Sequence, residues 1–110
     1  MTGARQPLVE ILYFDGCPNV DGAREVVARV AAEVGAAAQV RLVKITDADA
    51  AVRRRFLGSP TIRVDGRDIE PGADARDEYV LACRVYRTED GYVGQPEETW
   101  LRRALTEAAR

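Results

Sequence analysis

Histidine is absent from this chain of 110 residues, and only two cysteines occur, Cys17 and Cys83. Without an imidazole, the chain has no histidine general base, no cysteine-histidine dyad and no histidine-ligated zinc. Two thiolates alone do not complete a closed tetrahedral zinc site unless carboxylates or a second chain contribute. We therefore expect no resident metal and no cofactor.

Blocks of like charge and long apolar runs are also missing. The net charge is -2 with acids and bases interspersed, which argues against nucleic acid or a membrane as partner, and no run approaches transmembrane length. Two cysteines are too few for a secreted disulfide scaffold, and the first ten residues contain no apolar stretch typical of a signal peptide. We expect a cytoplasmic protein, in which thiols are kept reduced.

Apolar periodicity in the first half of the chain predicts strand, helix and strand. The run Leu8 to Phe14 is typical of a central strand covered on both faces. Pro18 suits the first position of a helix whose apolar residues recur at helical spacing until Gly35. Gln39 to Ile45 predicts a second strand, and a change of parity midway indicates a bulge or burial on two sides.

The second half predicts a short helix, a hairpin and a last helix. The short helix follows a capping-box-like sequence at Asp47. Asp65-Gly66 separates the extended segments Thr61 to Val64 and Arg67 to Ile69, which is a strong hairpin signal. Pro96 opens the last amphipathic helix.

The resulting order, β-α-β-α-β-β-α, indicates one α/β domain over residues 1-110 with an inserted segment, Gly72 to Gln95, before the last helix. Two apolar patterns overlap in the insertion, and the sequence does not decide between them. They are Leu81, Cys83 and Val85 for a strand, and Tyr79, Cys83 and Tyr86 for a helical face.

Cys17 stands in the sequence F-D-G-C-P, at the turn between the first strand and its helix. Unpaired backbone N-H groups and the positive end of the helix dipole favour thiolate over thiol at such a position. Asp15 opposes this effect, and no lysine or arginine is adjacent in sequence. A small buried cysteine is the alternative, but the turn and the proline favour a reactive thiol.

The element order, the cysteine at the first turn and a Ser-Pro before the third strand together resemble the thioredoxin fold, over the whole chain except the insertion. More narrowly, F-D-G-C-P, G-S-P-T-I-R-V-D-G-R-D and C-R-V-Y resemble the bacterial DF family of proteins and selenoproteins, some relatives of which are named alkylmercury lyase. The resemblance implies that Pro60 is cis and lies against the active cysteine. It also implies that the backbone groups of Ser59 are free to pair with substrate, so Pro18, Ser59 and Pro60 become candidate substrate-binding residues. An ordinary trans proline is the alternative.

Val20 stands where thioredoxin has its second cysteine, so the usual resolving thiol is missing. Cys83 is the only other thiol in the chain, and the predicted topology starts the insertion near Cys17. The alternative is that Cys83 fills the core beside Leu81 and Val85.

Three functions remain open. The resemblance favours a thiol-disulfide oxidoreductase in which Cys17 attacks a thiol or disulfide substrate, Cys83 resolves the intermediate and an external reductant restores both thiols. Two thiolates also suit soft ions such as Hg(II) or Cu(I), and in an alkylmercury lyase Asp15 is the candidate proton donor. The third is a thioredoxin-like binding module with inert cysteines.

Overall fold

The structure is a computed structural model that describes residues 6–109 as an α/β arrangement of one mixed sheet and three helices. The sheet has the order β2-β1-β3-β4. Its strands are β1 (Leu8–Tyr13), β2 (Gln39–Lys44), β3 (Thr61–Val64) and β4 (Arg67–Asp68). The helices are α1 (Val20–Val34), α2 (Ala48–Arg53) and α3 (Glu98–Ala108). Within residues 6–109, no helix has the length and apolar character needed to cross a bilayer.

The strand β1 is central, as its apolar run predicts. It runs parallel to β2 and antiparallel to β3, while β3 and β4 form an antiparallel hairpin. The β1-β2 register is unbroken from Leu8 opposite Gln39 to Tyr13 opposite Lys44, so the expected bulge does not form. Burial on two sides is also wrong, because β2 lies at the sheet edge and most of its residues are exposed.

Apolar side chains from the two faces of the sheet form two buried clusters. Val9 and Ile11 pack with α1 and α3 on one face, and Leu12 packs with α2 on the other. Because successive strand residues point to opposite faces, a nearly continuous apolar strand supplies both clusters.

The hairpin turn between β3 and β4 also forms as predicted, with Asp65 and Gly66 at φ 50° and 86°.

The insertion contains extended chain and a second, separate hairpin. A short 3-10 turn at Ala73–Ala75 comes first, and β5 (Tyr86–Thr88) pairs antiparallel with β6 (Gly91–Val93). Between these elements Cys83 forms an isolated parallel bridge with Ser59. No helix forms between Ala75 and Tyr86, so the helical alternative is wrong, and the strand alternative is met only by this single bridge.

Candidate functional site

The loop that carries Cys17 joins the end of β1 to the start of α1. The Cys17 N-H donates to the Phe14 carbonyl (3.3 Å), and the thiol is free and partly exposed. Helix α1 begins at Val20, not at Pro18 as predicted. Asn19 has non-helical dihedrals (φ -102°, ψ 2°), and its carbonyl accepts the first helical hydrogen bond. Cys17 is therefore separated from the helix by Pro18 and Asn19.

Lys44 contributes a positive charge to this loop that the neighbouring sequence does not reveal. Its Nζ lies 2.9 Å from Oδ2 of Asp15, and this hydrogen bond and the charge of the carboxylate raise the pKa of Lys44. Because β1 and β2 are parallel, their carboxyl ends lie side by side and Lys44 is the register partner of Tyr13. The lysine is therefore the ion-pair partner of the carboxylate two positions before Cys17.

Ser59 and Pro60 lie at the same sheet edge as the Cys17 loop. Leu12 near the end of β1 pairs with Thr61 at the start of β3, so the residues that follow β1 and those that precede β3 are neighbours in the fold. The Ser59-Pro60 peptide bond is cis, as the resemblance implies, and Ser59 is fully buried.

The backbone of Ser59 is not free, contrary to the expectation for a substrate-binding residue. Its N-H donates to the Ala82 carbonyl (2.8 Å), and its carbonyl accepts from the Arg84 N-H (2.9 Å). The physical reason is that the insertion folds back against Ser59 in a single parallel bridge and uses both groups itself. The preceding residue, Gly58, permits this close approach, because a Cβ there would lie 2.8 Å from Cβ of Arg84.

Arg84 fastens the insertion to the sheet by a buried ion network. Its guanidinium donates to Oδ2 of Asp68 (2.7 Å), Oε1 of Glu70 (2.6 Å) and Oγ1 of Thr61 (2.9 Å). Only 2% of the residue is exposed, and its Cζ lies 4.4 Å from the centroid of the Tyr86 ring. Nothing in the apolar pattern of the insertion indicated that the arginine would point inward.

The side chain of Cys83 faces outward. The thiol is free and exposed, while Leu81 and Val85 on the same alternation are 37% and 59% exposed. The alternative that Cys83 fills the core beside these two residues is therefore wrong. Alternation is inverted here, because Arg84 and Tyr86 occupy the buried positions and leave the apolar residues in solvent.

The end of the insertion contacts the start of α1. The Gln95 side-chain amide donates to the Asn19 carbonyl (2.7 Å), and a Cβ on Gly94 would lie 2.4 Å from Nδ2 of Asn19. The insertion thus touches both the residue that precedes Pro60 and the residue two positions after Cys17. It borders the candidate site from two sides.

The chain matches no protein-family model and no curated protein sequence. The chemistry of the site is therefore argued from its own groups. Among residues 6–109, no group of three or more histidine, cysteine, aspartate or glutamate side chains is arranged to hold a metal ion. The same end of the sheet carries two free cysteines and the ion pair of Asp15 and Lys44.

Proposed function

We propose that the chain is a thioredoxin-like thiol-disulfide oxidoreductase in which Cys17 is the nucleophile and Cys83 the resolving thiol. The observation that carries this proposal is the bridge between Ser59 and Cys83, which brings an exposed free thiol to the sheet edge from which the Cys17 loop extends. The Ala82 carbonyl and the Arg84 N-H, on either side of Cys83, hold this cysteine beside Ser59.

Several features support the thioredoxin-like assignment. The strand order β2-β1-β3-β4, the parallel pair β1-β2 and the antiparallel β3 fit that fold. Helices α1 and α3 share one face of the sheet and α2 covers the other, which also fits. The cis bond at Ser59-Pro60 stands at the start of β3 as the resemblance requires.

The reaction consists of two thiol-disulfide exchanges. The Cys17 thiolate attacks one sulfur of a substrate disulfide, which forms a mixed disulfide and releases the other sulfur as a thiolate. The Cys83 thiolate then attacks the sulfur of Cys17, releases the second substrate thiolate and leaves a Cys17-Cys83 disulfide. The two protons that the product thiolates take up balance those lost from the two protein thiols. An external dithiol supplies two electrons and restores the reduced protein.

The remaining candidate residues have supporting roles in this scheme. Pro18 follows Cys17 directly and Pro60 precedes β3 at the same end of the sheet, so both remain candidate substrate-binding residues. Asp15 and Lys44 form an ion pair in the loop that carries Cys17 and at the adjacent end of β2. Ser59 acts through its backbone, by holding the segment that carries Cys83.

The order of attack is tested with two serine variants exposed to oxidised glutathione. Cys83→Ser should accumulate a glutathione adduct on Cys17, because nothing inside the chain can open it, while Cys17→Ser should accumulate far less. Intact-mass measurement of both variants, with the double variant as the control for non-covalent binding, gives the comparison.

The wild type is the second arm of this experiment. It should pass through the adduct to an internal disulfide, which requires the two Cα atoms to come within about 7 Å. Equal adducts on both variants, or only intermolecular disulfides in the wild type, would show that Cys83 is not the resolving thiol. Stoichiometric Hg(II) retention by a wild type that forms no adduct would favour the soft-metal alternative, and two unreactive thiols would favour a binding module.

A further inference from the structure

We propose that the insertion restricts the site to low-molecular-weight disulfides and excludes extended polypeptides. This inference rests on the proposed function and names its substrate class. It follows from residues 80–86, called here the docked segment, which lie along the chain that leads into β3.

The docked segment uses the backbone groups that a polypeptide substrate would need. An extended peptide binds beside a strand through main-chain hydrogen bonds, and these require unpaired N-H and C=O groups on that strand. Ser59 has one of each, and Ala82 and Arg84 occupy both.

Two further carbonyls of the chain that leads into β3 are occupied as well. The Val80 N-H donates to the Phe56 carbonyl (2.9 Å), and the Tyr86 hydroxyl donates to the Pro60 carbonyl. A peptide therefore meets a pairing edge that is already filled. A small disulfide needs only access to the sulfur, and Cys17 is a partly exposed residue.

The docked segment is also held too firmly to be displaced by a weakly bound peptide. Its central arginine, Arg84, is 2% exposed and pairs with Asp68 and Glu70, whose side chains are 11% and 15% exposed. Removing the partners of a buried charge is strongly destabilising. Arg84 is thus a positioning residue for specificity, although it touches no substrate.

The test compares two disulfides of different size against reduced wild-type protein. Bis(2-hydroxyethyl) disulfide is the small probe and insulin the polypeptide probe, and the measured quantity is the rate at which the protein loses its two thiol hydrogens by intact mass. Each rate is divided by that of dithiothreitol with the same disulfide, which removes the intrinsic reactivity of the probe. The normalised rate with the small probe should exceed that with insulin by at least about tenfold, since the peptide lacks its main-chain hydrogen bonds.

A positioning variant and a matched control complete the experiment. Arg84→Gln should lower the ratio of the two normalised rates several-fold, because it loosens the docked segment. Arg76→Gln also removes an arginine partner of Glu70 (3.0 Å) but lies outside the docked segment, so it should leave this ratio unchanged. If Arg84→Gln does not fold, Asp68→Asn replaces it, because this change keeps the arginine and removes the charge of one partner.

The outcomes separate the two proposals. A wild type oxidised by insulin as readily as by the small disulfide overturns the restriction and leaves the oxidoreductase function standing. A wild type oxidised by neither probe overturns the proposed function and this inference with it. An unchanged ratio in a folded Arg84→Gln variant overturns the role of the docked segment.

Discussion

The hydroxyl of Tyr86 offers a clean measurement of how strongly the insertion is held. Tyr86 is fully buried, its ring contacts Arg84, and its hydroxyl donates to the carbonyl of Pro60. Tyr86→Phe removes that one hydrogen bond while it keeps the ring, its volume and its contact with the guanidinium.

The expected loss follows from the group left behind. A buried polar group that loses its partner costs about 1–3 kcal/mol, and the carbonyl of Pro60 cannot recover a water without opening the packing around Tyr86. The free energy of unfolding should therefore fall by about that amount, which for a domain of about 100 residues lowers the melting temperature by roughly 5–15 °C.

Urea unfolding followed by circular dichroism measures this loss. The midpoint should fall while the slope stays constant, since the surface exposed on unfolding does not change. Tyr92→Phe is the matched control, because that tyrosine is 74% exposed and its change should stay within about 0.5 kcal/mol. A Tyr86→Phe loss no larger than that of the control would refute the reasoning, and the insertion would then be held by other contacts.

Three further predictions concern the same contacts. Burial raises the pKa of Tyr86 well above its usual range. The unfolded chain therefore releases this proton at lower pH than the folded protein, and the free energy of unfolding should fall as the pH rises past about 10. Tyr86→Phe should weaken this fall with pH, and the same fall in both proteins would contradict the burial of the Tyr86 hydroxyl. Gly58→Ala should destabilise by about 2–4 kcal/mol in urea unfolding, because the backbone is at φ 122° and the added Cβ would meet Arg84. Gly72→Ala should cost only about 1 kcal/mol, because φ is 83° there but the added Cβ has open space around it. Equal losses would contradict the close approach at Gly58. Ser59→Ala should be neutral or slightly stabilising in the same assay, because the buried hydroxyl has no hydrogen-bond partner among the described residues, and a large loss would mean that the side chain and not the backbone holds the site.

The sequence alone determined features governed by local sterics and periodicity. Asp65-Gly66 predicted the β3-β4 turn because both residues must take positive φ, and both do. Gly35 ends α1 in the left-handed conformation for the same reason. The apolar run at Leu8 predicted a central strand because only a strand covered on both faces buries consecutive side chains. Each of these features depends on residues that are close together in the sequence.

Ends of helices were less predictable, since a proline that suits the first helical position also suits the turn before it. Pro18 and Pro96 both lie ahead of their helices, which begin at Val20 and Glu98. The residue before α1, Asn19, also accepts a hydrogen bond from Gln95, far along the chain.

Only the tertiary structure decided how the candidate site is completed. Lys44 reaches Asp15 because parallel pairing aligns the ends of β1 and β2, a register that periodicity does not specify. The insertion faces the way it does because Arg84 finds two carboxylates near β4. Burying a charge is favourable only when such partners are in place, so whether residue 83 or residue 84 points outward depends on groups more than ten positions away. Because Arg84 points inward, Cys83 is exposed, and the backbone N-H and carbonyl of Ser59 are both hydrogen-bonded to the insertion.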